Sequence, residues 1–79
     1  MNLSNDHLAI LEIVGSAPRT IHTLGVLDQK KRMSRLVGGA FDKEEVLSAL
    51  SALETKGMVR YLPEMDAWKI TEKGREYLD

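Results

Sequence analysis

The stretch EEVLSALSALETKGMVRYLPEMDAWKITEKG, residues 44 to 74, carries the fold. Val46, Leu47, Leu50 and Leu53 recur at three- and four-residue steps, the spacing of one buried helical stripe. Just ahead of it, Asp42 followed by Glu45 reads as a variant capping box, and acidic residues in a first turn suit the positive end of a helix. Gly57 closes the helix as a left-handed cap. MVRYL is rich in strand-forming residues, PEMD suits a turn, and AWKI returns the chain, so a two-stranded ribbon is expected. Thr71 then caps a short last helix, EKGREYL.

Upstream, Ser4 or Asn5 caps a first helix with Leu8, Leu11 and Val14 on one stripe and an end near Gly15 and Pro18. Ala9, Ile10 and Ile13 lie off that stripe. A helix apolar on more than one side is either central to the core or shared with a second subunit. Thr20 is expected to cap a second helix that begins IHTLGVL, with Ile21, Leu24 and Leu27 three apart. That helix either runs on through DQKKRMSRLV or breaks and restarts, and Gly38 and Gly39 stop it in both cases.

The chain of 79 residues reads as one small domain, residues 1 to 79, without an internal repeat or a Gly/Ser/Pro-rich linker. A domain of this size buries only about 60% of the surface its unfolded chain exposes, which leaves little room for a deep substrate cavity. No apolar run approaches bilayer length, and the start MNLSNDHLAI lacks the basic end and apolar run of a signal peptide. Cysteine is absent, whereas a small secreted domain usually carries disulfides. A cytoplasmic protein without a membrane partner is expected.

Catalysis and cofactors are not expected either. His7 and His22 are the histidines of the chain, and neither sits in a cluster with the ligand count of a zinc site. Glu44 with Glu45 and Glu64 with Asp66 fall at a helix start and in a turn, where nothing would desolvate a carboxylate and raise its pKa. Gly38 and Gly39 precede Ala40 and Phe41 rather than the Lys and Ser/Thr of a phosphate-binding loop.

Net charge is −1, so no global field draws nucleic acid. Its distribution is uneven: Arg19, Lys30, Lys31, Arg32 and Arg35 face Asp28 alone over residues 19 to 35. This run is either a solvated helix face or a phosphate-contacting patch.

In their order, these pieces resemble the winged helix-turn-helix superfamily, most closely small regulators of the MarR and PadR type. The matching pieces are TIHTLGVL, LSALETKGMV and KITEKGREYL, within residues 7 to 78. The resemblance implies a mainly α, α+β fold with a three-helix core, a two-stranded wing and a short C-terminal helix. It also implies a transcriptional regulator that reads double-stranded DNA with the helix at 42 to 57, as a homodimer through the first and last helices. Such folds serve as protein-docking modules too, which gives the alternative of a protein partner without direct DNA binding. The sequence departs from the family pattern twice. The connection between TIHTLGVL and Asp42 is longer than the family's turn, and the wing turn carries Glu64 and Asp66 where DNA-binding members often place Arg or Lys.

Placing Leu50 at the centre of the buried side, a step of about 100° per residue puts Glu45, Ser48, Ala52 and Thr55 opposite it, edged by Glu44, Ser51 and Lys56. Hydroxyls can bond base edges, and small residues allow close entry into a groove. Ser48, Ser51, Thr55 and Lys56 are therefore the expected groove residues. Lys30, Lys31, Arg32 and Arg35 are the expected backbone contacts, with Arg60 and Lys69 on the flank. Tyr61 and Trp68 are expected to pack over the third helix rather than to stack on bases.

Overall fold

A computed structural model describes residues 3 to 79. Its elements, in order, are α1 (Asn5–Ser16), β1 (Ile21–His22), α2 (Thr23–Leu36), α3 (Lys43–Thr55), β2 (Val59–Leu62), β3 (Ala67–Ile70) and α4 (Glu72–Leu78). The fold is α+β, with an antiparallel sheet of strand order β1-β3-β2 on which α1 packs through β3 and α3 through β2.

Ser4 caps α1, its hydroxyl accepting from the His7 amide at 3.2 Å. Ile10, Leu11, Ile13 and Val14 are all buried within this one chain. The helix is central to the core of this one chain, where α2, α3, β3 and α4 all pack against it.

The second helix starts later than its sequence suggests. Thr20 is not its cap. Ile21 and His22 are extended and pair with Trp68 and Ala67 of β3, so the expected two-stranded ribbon is a three-stranded sheet. The gain is physical: β-branched Ile21 becomes buried, and two residues join a ladder in place of an exposed first helical turn. His22 is the cap residue of α2 and makes no side-chain capping bond. The helix then runs unbroken through DQKKRMSRL. It buries Val26 and Leu27 and leaves Leu24, expected on the apolar stripe, 76% exposed.

Both α2 and α3 end in the same way. Gly38 (φ 75°) and Gly57 (φ 76°) take the left-handed conformation that glycine adopts without a Cβ penalty. After α3 the Met58 amide donates to the Leu53 carbonyl and the Gly57 amide to Glu54, both at 2.9 Å. The Gly39 amide reaches back to Ser34 in the same manner at 2.8 Å. These bonds satisfy carbonyls that a helix end leaves orphaned.

The β2–β3 turn is held down rather than loose. Asp66 sits at φ 48°, in the left-handed region, and its carboxylate accepts from the Tyr61 hydroxyl at 2.7 Å and from the Thr23 hydroxyl at 2.8 Å. The Asp66 carbonyl accepts from the Thr23 amide at 2.9 Å, and the Trp68 indole N–H donates to the Thr23 oxygen at 2.9 Å. Tyr61 and Trp68 pack on each other, ring centroids 4.6 Å apart, with their polar tips gathered at the first residue of α2. Trp68 belongs to the core cluster that includes Val46, Leu50 and Leu53 of α3, Tyr61 packs against that cluster, and the polar tips of the pair also join the sheet to α2.

Hydrogen bonds from Tyr61 and Thr23 hold the Asp66 carboxyl below its ordinary value, and its bond to Asp66 raises the Tyr61 phenol above its own. With the folded pKa of Asp66 depressed, its contribution to stability is complete above the ordinary carboxylate value of about 4 and fades as pH falls through the folded value. Asp66→Asn tolerates the same backbone conformation but loses the charge. It should melt below the wild type at pH 7, and the gap should close as pH is taken well below the carboxylate range. A gap that stays constant down to acid pH would disprove the latch.

Candidate nucleic-acid interface

α3 is built to show one face. Asp42 caps it, its carboxylate accepting from the Glu44 amide at 2.9 Å, and Val46, Ala49, Leu50 and Leu53 are buried against α1 and the sheet. Leu47, on the expected stripe, is half-buried at its edge. The opposite side carries Glu44, Glu45, Ser48, Ser51 and Thr55, all exposed, with Ala52 and Lys56 half-buried. Every expected groove residue therefore lies along one helix, and no side chain longer than Glu or Lys rises from that face.

The hydroxyls on it are not equivalent. Thr55 donates to the Ser51 carbonyl at 3.0 Å, so its proton is occupied and its oxygen is left as an acceptor. Ser48 and Ser51 make no side-chain hydrogen bond to another described residue and keep both donor and acceptor for a partner.

The basic run of α2 divides by helical geometry. Lys30 turns toward α1, its side chain 17% exposed and its ammonium 3.8 Å from Asp6. Arg32 faces solvent and pairs with Asp28 at 3.2 Å, an exposed i,i+4 bridge worth about 0.3–0.5 kcal/mol. Lys31 and Arg35 are exposed, one helical turn apart, with no described carboxylate in ion-pair range. They are the two cations of the run most available to an incoming phosphate.

Arg60 and Lys69 stand elsewhere. They are directly opposed across β2 and β3, on the solvent side of the sheet, and line an open groove together with Arg19 and Arg75. No residue of α2 or α3 lines that groove. The ten residues expected to touch nucleic acid thus do not form one surface, since Arg60 and Lys69 line a groove that no α2 or α3 residue reaches. Alternation in VRYL and AWKI places Arg60 and Lys69 on a common side. Arg19 and Arg75 join them only through tertiary packing, and no local signal announces them.

Among the described residues no group of three or more His, Asp or Glu could hold a metal ion, and no helix is long and apolar enough to cross a membrane. Searches of protein-family models, of curated proteins and of solved structures found no match to the chain.

Proposed function

We propose that this chain is a winged-helix DNA-binding regulator that sets α3 into the groove of duplex DNA and holds the backbone with Lys31 and Arg35. The observation that supports it is a helix buried along one side whose other side offers only short polar residues, in the order helix, strand, helix, helix, strand, strand, helix. Close approach is what such a face permits, and Ser48 and Ser51 would bond base edges while Thr55 accepts. The face has no Arg, Asn or Gln to make bidentate base contacts, so sequence preference would be modest and would come largely from shape. Lys56 closes the face at its C-terminal end. Lys30 and Arg32, each already paired with a carboxylate, would add less, and the reading does not depend on Arg60 or Lys69.

A homodimer through α1 and α4 would double this footprint and match two half-sites. Leu8, Tyr77 and Leu78, half-buried along an open groove between those helices, would meet the second copy.

The test is a titration of random duplex DNA with the protein, read by fluorescence anisotropy at low and at physiological salt. Affinity should fall steeply with salt, log K losing about 0.9 per neutralised phosphate for each tenfold rise. Lys31→Glu with Arg35→Glu should lower affinity at every salt concentration and flatten that slope by about two contacts. Absence of binding at low salt would shift the reading to the alternative, a docking module for another protein. The exposed carboxylates of Asp42, Glu44 and Glu45 at the start of α3 favour that alternative, since they would repel phosphate.

A further inference from the structure

The solvent side of the sheet holds a second charged surface that the DNA reading leaves without a role. Its groove has a volume of about 560 Å³ and is ringed by Arg19, Arg60, Lys69 and Arg75, with half-buried Leu62 giving apolar surface between them. No acidic residue lines it, and among the described residues no carboxylate pairs with any of the four cations. Arg60 and Lys69 are opposed in the ladder, where like charges repel and weaken a sheet. Four uncompensated cations around apolar surface are matched by a ligand that brings both carboxylates and apolar groups. A phosphate backbone would satisfy the charges and leave Leu62 uncovered.

We propose that this groove docks an acidic protein segment whose carboxylates alternate with apolar side chains. The segment is held through side chains rather than as an added strand. The sheet edges are β1, only two residues long, and β2, whose outward Tyr61 amide is already taken by the Glu54 carboxylate at 3.1 Å. The groove is independent of the DNA reading, because it shares no residue with Lys31, Arg35 or the α3 face.

The probe is a short fluorescein-labelled peptide of alternating Glu and Leu, titrated against the whole chain at physiological salt. Binding is expected, and Arg60→Glu with Lys69→Glu should weaken it by about tenfold or more, while Lys31→Glu with Arg35→Glu leaves it unchanged. Both reversals are at exposed positions, and circular dichroism checks that the variants remain folded. Four results would each overturn the proposal. The first is no binding, and the second is equal binding of an all-Glu peptide, which would reduce the groove to diffuse charge. The third is displacement of the peptide by duplex DNA, which would assign the groove to nucleic acid. The fourth is self-association of the chain that the Arg60/Lys69 reversal abolishes, which would make a second copy the occupant.

Discussion

Gly74→Ala is expected to destabilise the domain by about 3 kcal/mol, at the upper end for overpacking. Helix propensity alone predicts the reverse, since alanine is better than glycine in a helix by about 1 kcal/mol. The decision falls to packing. Gly74 is buried in α4, and a Cβ there would overlap the Met58 carbonyl oxygen and press on the Ile70 side chain. That carbonyl cannot easily retreat, because it accepts from the Thr71 amide at 3.0 Å, and the Thr71 hydroxyl is itself bonded to the Gly57 carbonyl at 2.6 Å. The entry of α4 is thus stapled to the loop that leaves α3. Gly15→Ala is the control: its Cβ would meet only the terminal methyls of Ile70 and Leu78, which can turn aside. Urea midpoints should therefore drop strongly for Gly74→Ala and change little for Gly15→Ala. A stabilised Gly74→Ala would mean that α4 does not approach Met58 as described.

Leu50→Ala carries the second large effect, about 2–5 kcal/mol. Leu50 is fully buried at the centre of α3 among residues of α1 and the sheet, and a truncated side chain there leaves a cavity that packed neighbours close only in part. A small domain has a total stability on the order of 0.05–0.15 kcal/mol per residue, so this one change removes a large share of it. Leu47→Ala, half-buried beside the stripe, should cost clearly less. The pair separates folding from binding. Ser48→Ala and Ser51→Ala should leave the melting temperature almost untouched while changing what α3 holds. Leu50→Ala should lower both together, and an unchanged melting temperature would contradict its place in the core.

Much of this architecture is legible in the residues. The stripe of Val46, Leu50 and Leu53, the capping Asp42 and the closing Gly57 specify α3 locally, and each appears where its type and spacing demand. The strand β1 is not legible, because two residues carry no periodicity and their pairing is made with Ala67 and Trp68, far along the chain. Leu24 misleads for a related reason: once Ile21 leaves the helix, the buried stripe passes to Val26 and Leu27. At the site, the short face of α3 follows from helical angle alone. The division of the basic run does not, because only the packing of α1 on α2 brings Asp6 to Lys30.

Trp68 is the one tryptophan of the chain, and its indole N–H ends on the Thr23 hydroxyl that also binds Asp66. The protein therefore contains its own optical gauge. A ligand that pulls β3 and its turn away from the start of α2 breaks that contact and wets the ring, shifting its emission to longer wavelength without a label. A ligand that docks on α3 with the turn in place leaves the colour alone, so an emission spectrum taken during a binding titration reports on which part of the molecule has moved.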